Sequence, residues 1–83
     1  SLIAYPNPFN ASTTLEYGLP EPGHVRIHIY DLLGRITETL LDEEKQAGRY
    51  QIPWDASDYS SGVYFYRIEK GDFSETRKMI LLK

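Results

Sequence analysis

The alternation of apolar and polar residues predicts short β-strands along the whole chain. The clearest case is residues 24–30, where Val25, Ile27 and Ile29 alternate with polar or aromatic residues, which is the period of a half-buried strand. Similar segments, rich in β-branched and aromatic residues, are separated by clusters of Pro, Gly, Asn and Asp, and none of useful length has a helical period. We predict seven strands, at residues 2–5, 13–19, 24–30, 35–41, 49–54, 63–69 and 73–82.

Prolines and a short turn constrain how these strands pair. Pro6 and Pro8 cannot donate ladder hydrogen bonds, so the first strand ends before them, and Pro53 indicates an edge strand. The turn at Gly71 and Asp72 predicts that the last two strands form a hairpin. With no crossover helix, a parallel sheet is excluded, and two antiparallel sheets packed over one core are expected.

The same alternation assigns side chains to the core. Trp54 is the expected largest contributor, because an aromatic side chain buries more surface than an aliphatic one. Residues 42–46 are interpreted as a polar loop, and Tyr59 is the best candidate for an exposed aromatic side chain. The other predicted core residues are Ile36, Leu40, Tyr50, Ile52, Tyr64 and Tyr66.

Composition indicates one small folded domain. The chain has 83 residues, of which 41% are hydrophobic and 13% aromatic, enough for a core and too many for a disordered chain. With a net charge of −3, the chain as a whole has no excess of positive charge that would attract nucleic acid or an anionic membrane. Because the chain has no cysteine, disulfides, thiolate metal sites and a cysteine nucleophile are excluded.

The ends of the chain suggest a larger precursor. The sequence begins at Ser1 rather than at an initiator methionine, and it has neither a signal peptide nor an apolar run of membrane-spanning length. We therefore expect residues 1–83 to be a single domain cut from a longer protein whose signal peptide lies elsewhere.

Candidate chemistry is sparse. His24 and His28 lie four residues apart on one strand, about 13 Å from each other, so one metal ion cannot bridge them. No Gly-x-Ser-x-Gly elbow and no glycine-rich phosphate loop is present. Asp55 and Asp58 could offer oxygens to calcium, but they lack EF-hand spacing and are expected to hold their loop through Asx bonds. We predict no catalytic residue, no metal site, no cofactor and no enzyme activity.

Several segments together resemble one family. These segments are YPNPFN at 5–10, IYDLLGR at 29–35, AGRY at 47–50, WD at 54–55, SGVYFYR at 61–67 and KMILLK at 78–83. In their order and spacing, they resemble the type A C-terminal sorting domain of the type IX secretion system, the Por secretion system tail. The departures are Ala11, where the family usually has proline, and Ala56, where glycine commonly follows Trp-Asp.

The resemblance implies a fold and a carrier role. The fold would be an all-β, immunoglobulin-like antiparallel β-sandwich of about seven strands. The domain would end a cargo protein, cross the inner membrane with it, fold in the periplasm and be recognised by the outer-membrane type IX translocon. A sortase-like C-terminal signal peptidase would then remove it, leaving the cargo at the cell surface or outside the cell.

The resemblance also marks candidate sorting positions. A strand at the chain terminus could offer its edge to a partner by β-augmentation. We expect most motif residues to act in folding, and we expect the terminal segment to carry more of the sorting signal. The candidate positions are Pro6, Asn7, Pro8, Gly62, Tyr64, Lys78, Met79, Ile80, Leu81, Leu82 and Lys83.

Two other functions stay open at the level of the sequence. The immunoglobulin-like domain of the flagellar hook-capping protein shares much of this pattern, which would make the chain a structural assembly domain. Similar modules also accompany secreted hydrolases as carbohydrate-binding or adhesive domains, for which an exposed Tyr59 would be the best evidence.

Overall fold

Two antiparallel sheets pack face to face in the computed structural model, which describes residues 2–83 and leaves Ser1 outside. Over residues 2–83 the strands are β1 (Leu2–Tyr5), β2 (Ser12–Leu19), β3 (Gly23–Tyr30), β4 (Ile36–Lys45), β5 (Gly48–Asp55), β6 (Gly62–Lys70) and β7 (Phe73–Leu81). One sheet has the strand order β1-β2-β5 and the other the order β4-β3-β6-β7. The predicted all-β sandwich is therefore confirmed.

The core lies where the alternation predicts it. In β3, Val25, Ile27 and Ile29 are fully buried, while the intervening residues face outward. Trp54 in β5 is also buried, and removing about 200 Å² of aromatic surface from water contributes about 5 kcal/mol before entropy costs. Pro53 lies on the edge strand β5, as expected, because it has no N–H to donate to a further strand.

The β4 strand is longer than predicted, and its inward face is shifted. Residues 42–45 continue the strand rather than forming a loop, because their charged side chains pair with β3: His24 lies opposite Glu44 and Arg26 opposite Asp42. The register of β4 against β3 also shifts twice, between Ile27 and His28 and between Ile29 and Tyr30. The prediction of Ile36 as core is therefore wrong: it is 55% exposed, and Leu41 is the buried residue.

Tyr59 is not the exposed aromatic residue that the sequence suggested. Its ring packs against Trp54, with 5.4 Å between ring centroids, and it is half-buried beside the core. Its hydroxyl donates to Glu38 Oε1 at 3.1 Å, and the Trp54 indole nitrogen donates to the same atom at 3.0 Å. Glu38 thus links β4 of one sheet to β5 of the other, which draws the loop of Tyr59 inward.

The sandwich has an upper and a lower end. The upper end carries the loops at residues 6–11, 31–35 and 56–61 together with residues 82–83. The lower end carries the turns at residues 20–22, 46–47 and 71–72, close to the start of β1. No helix occurs among residues 2–83, so none of these residues forms a helix able to cross a membrane.

Candidate functional site

Residues 6–9, here called the edge clasp, lie along the last third of β7. The Asn7 side-chain amide donates to the Lys78 carbonyl at 3.1 Å and accepts the Ile80 N–H at 3.1 Å. Phe9 continues the pairing, because its N–H donates to the Ile80 carbonyl at 3.0 Å and its carbonyl accepts the Leu82 N–H at 2.8 Å. The structure thereby joins candidate sorting positions from both ends of the chain.

The edge clasp covers the strand edge that the sequence suggested for β-augmentation. The outward carbonyls of Lys78 and Ile80 and the outward N–H groups of Ile80 and Leu82 already bond to Asn7 or Phe9. Since a further strand needs free N–H and C=O groups, it cannot pair with this part of β7 while the clasp is closed. The expectation that the terminal strand offers its edge is therefore wrong for residues 78–82 of the folded domain.

The terminal segment divides into inward and outward side chains. Met79 and Leu81 are fully buried in the core. Lys78 and Leu82 are exposed, and Ile80 is half-buried on the outer face. Lys83 is held at the upper end, where its N–H donates to Ser61 Oγ at 3.1 Å and its ammonium donates to the Ser57 carbonyl. Accessible side chains of the segment are thus those of Lys78, Ile80, Leu82 and Lys83.

Three of the remaining candidate positions have evident roles in folding: Pro6, Gly62 and Tyr64. The Pro6 carbonyl accepts a hydrogen bond from the buried Thr13 hydroxyl at 2.7 Å, while Pro8 is exposed. Gly62 has a φ of 148°, which side-chain-bearing residues rarely adopt. Tyr64 is buried as predicted, and its hydroxyl donates to the Ser60 carbonyl at 2.7 Å.

An aspartate holds the turn between β3 and β4. Asp31 Oδ1 accepts the N–H groups of Leu33 at 2.9 Å and Arg35 at 3.0 Å, and the Arg35 Nε donates to Oδ2 at 2.7 Å. These bonds, led by the one from the Arg35 backbone, lower the pKa of Asp31 because they favour its charged form. The turn displays Leu32 and Leu33 at 67% and 77% exposure, a feature that the sequence interpretation did not single out.

The AGRY segment lies apart from the others, at the lower end. Tyr50 stacks on Tyr17 with 5.3 Å between ring centroids, and its hydroxyl donates to the Gln46 carbonyl at 2.7 Å. The Lys45 ammonium lies 4.9 Å from the Tyr50 ring centroid. This segment therefore closes the β4–β5 turn, and the other matching segments meet at the upper end.

Three of the polar candidates weighed from the sequence are engaged in local bonds: His24, His28 and Asp55. His24 bonds to Asp42 and, as the leading cause, lowers the pKa of that carboxyl, while His28 Nδ1 lies 3.0 Å from Thr39 Oγ1. Asp55 accepts the Ser57 N–H at 3.0 Å, so the predicted Asx turn is confirmed at this residue. The same expectation is wrong for Asp58, whose exposed side chain makes no hydrogen bond within residues 2–83. Residues 2–83 contain no group of three or more His, Asp or Glu residues placed to hold a metal ion.

Comparison with protein families supplies the deciding observation. A family profile described as the secretion system C-terminal sorting domain matches residues 3–82. The chain belongs to this family. Sorting domains of the family mark proteins for type IX secretion to the cell surface or the extracellular space, and their role is not catalytic.

A solved structure shares the fold of this sorting domain. It is that of PorZ, described as an essential bacterial surface component of the type IX secretion system of Porphyromonas gingivalis, with a TM-score of 0.69 and 23% sequence identity. The match covers 100% of this chain and 12% of the PorZ chain, so the sorting domain spans a small part of that protein. A search of curated proteins found no match.

Proposed function

We propose that residues 1–83 are the C-terminal sorting domain of a longer exported protein, whose cargo precedes this domain. The outer-membrane type IX translocon recognises the folded domain, and a sortase-like C-terminal signal peptidase then removes it. The domain has no catalytic role of its own. The observation that carries this proposal is the meeting of most family-matching segments at one end of the sandwich, described above for the clasp, the Asp31 turn and the terminal segment.

The position of β1 supports this arrangement. Leu2 pairs with Tyr17, two residues before β2 ends at Leu19 on the lower end. A cargo domain joined ahead of Leu2 would therefore lie towards the lower end, whereas Lys83 lies at the upper end beside Ser61. The upper end would stay accessible to the translocon whatever cargo the domain carries.

The candidate sorting positions divide by role in this proposal. Lys78, Ile80, Leu82 and Lys83 present side chains that a partner can contact. The others hold those four in place, either as core side chains or through the edge clasp and its neighbouring turns. These supporting positions are Pro6, Asn7, Pro8, Gly62, Tyr64, Met79 and Leu81.

The peptidase step has a structural constraint. From Leu2 onward, β1 is paired with β2 along its length, and a protease needs an extended, unpaired segment. We therefore place the cut ahead of Leu2 in the folded domain. Mass spectrometry of the mature cargo tests this, and a cargo terminus that retains residues of β1 or β2 would contradict it.

Export of a reporter tests the terminal segment. Deleting residues 79–83 would remove the buried Met79 and Leu81 and unfold the domain, so a surface change is the sharper test. We expect Leu82→Ser in a reporter fusion to lower the surface-exported fraction. Phe73→Ser is the matched control at the lower end, since both residues are 54% exposed. Equal export of the two variants and the unmodified fusion would exclude a contact at Leu82.

A further inference from the structure

The outer face of the β4-β3-β6-β7 sheet is apolar in its upper half. Cross-strand register aligns side chains from all the strands of this sheet in two adjoining rows. We call these residues the apolar face patch. The first row, from β4 to β7, is Ile36, Tyr30, Phe65 and Lys78, and the second, nearer the upper end, is Val63 beside Ile80.

The lower half of the same face is polar. His28 lies opposite Arg67, which lies opposite Thr76, and Arg26 lies opposite Glu69. Polar side chains are what an antiparallel sheet with one solvated face normally presents to water. The apolar face patch therefore departs from the pattern that the rest of the face follows.

Folding does not account for the patch. Its side chains point away from the core, and Ile36 remains 55% exposed. The turn residues Leu32 and Leu33, exposed at 67% and 77%, extend the apolar surface beyond Tyr30 and border Val63. A contiguous apolar surface of this kind on a small domain marks a contact with another molecule.

The charge of Lys78 specifies the chemistry of that contact. No ion pair among residues 2–83 involves Lys78. The neighbouring guanidinium groups are already neutralised: Arg35 pairs with Asp31 at 2.7 Å, and Arg67 pairs with Glu69 at 2.8 Å. A complementary partner has an apolar surface with a carboxylate opposite Lys78.

We propose that the apolar face patch is the surface on which the outer-membrane translocon docks, through a protein surface that is apolar and carries an acidic side chain. This inference rests on the proposed function and adds a site to it. A second copy of the chain fits less well, because a two-fold contact would set the patch against itself and bring no carboxylate to Lys78. A glycan fits less well too, since the patch has few polar atoms for sugar hydroxyls.

The test uses residues 1–83 fused to a reporter in a type IX-competent cell. We expect Ile36→Thr with Ile80→Thr to lower the surface-exported fraction about tenfold, because apolar anchors at a contact carry most of its affinity. Lys78→Glu should lower export similarly, whereas Lys78→Arg should preserve it. Ile3→Thr is the matched control, an isoleucine that is 45% exposed on β1 of the other sheet.

Each outcome decides the matter. Thermal unfolding midpoints within about 4 °C of the unmodified domain show that a variant has kept its fold. If the unmodified fusion is not exported, the proposed function fails. If it is exported and the patch variants are exported equally well, only the docking proposal fails. Concentration-dependent dimers or saturable glycan binding that the patch variants abolish, with export unchanged, would also overturn it.

Discussion

At the scale of single residues, Ala11 has an unusual backbone conformation. Its φ is +75°, in the left-handed region where a side chain costs about 1–2 kcal/mol. Its carbonyl accepts the Ala56 N–H at 2.6 Å, which fixes the loop against the end of β5. Proline, which the sequence comparison gave as the usual residue of the family at position 11, has a φ near −65° and could not adopt this conformation. The departure at Ala11 therefore permits a loop conformation that proline would exclude.

Substitutions of Ala11 test this conformation. We expect Ala11→Gly to stabilise the domain by up to about 1 kcal/mol, because relief of the left-handed strain is partly offset by unfolded-state entropy. Ala11→Pro should destabilise it by about 2 kcal/mol or more. Urea unfolding measures both changes. A proline variant as stable as the unmodified domain would mean that this loop adopts another conformation.

The Asp31 turn predicts a dependence of stability on acid pH. Because the folded-state pKa of Asp31 is lowered, its contribution to stability is present above the ordinary aspartate range, and it is lost as the pH falls through the folded pKa. We expect Asp31→Asn to weaken the fall of the unfolding temperature between about pH 4 and pH 2. The lowered pKa values of Asp42 and Asp55 leave part of that fall in place.

A matched substitution checks the role of the turn. Asp58→Asn changes an exposed aspartate in the β5–β6 loop for which residues 2–83 provide no hydrogen-bond partner. Thermal unfolding of both variants across this pH range separates a specific effect from a change of net charge. If the unfolding temperature depends on acid pH in the same altered way in both variants, the role assigned to the Asp31 bonds is contradicted.

At the scale of elements, periodicity predicted the strands better than their orientation. The β3 strand was predictable because strict alternation matches a strand buried on one face. The β4 strand was predicted too short because residues 42–45 are charged, and cross-strand partners on β3 were not visible in the sequence. Ile36 was assigned to the wrong face because a register shift reverses the alternation, and such a shift leaves no local signal.

The edge clasp also could not be predicted from the sequence. Prolines explained why β1 ends, but the pairing of Asn7 with β7 spans 73 positions from Asn7 to Ile80. Contacts this far apart depend on the whole topology rather than on local propensity. The motifs at the two ends of the chain could be recognised separately, yet their contact became visible only in the folded domain.

Loss of the edge clasp should be detectable by hydrogen exchange at β7. Because Asn7 Oδ1 accepts the Ile80 N–H, Asn7→Ala should speed hydrogen exchange of the Ile80 amide and lower stability by about 1–2 kcal/mol. Exchange at Ile27, in the middle of the core, should rise only by the factor that the lost global stability sets, and by less than at Ile80. Asn10→Ala is the control, an exposed asparagine one residue beyond the clasp. Unchanged exchange at Ile80 in the Asn7 variant would contradict the clasp.

At the scale of the whole molecule, the sorting domain is polarised. Its longest extent is 37 Å, with the start of β1 towards one end and the terminal segment at the other. Ordered motifs identified the family from the sequence. Which motif residues face outward depended on the folded register, since neighbours such as Lys78 and Met79 have opposite exposures. Folding residues and candidate contact residues therefore alternate within one segment.

The most direct measurement is protease accessibility of a reporter joined ahead of residues 1–83, in intact type IX-competent cells and in a strain that lacks the translocon. The account predicts that external protease digests the reporter only in the competent cells. The same reporter without the domain should stay protected in both strains. Equal protection of the full fusion in the two strains, with the domain shown to be folded, would contradict the assignment of this chain as a sorting domain.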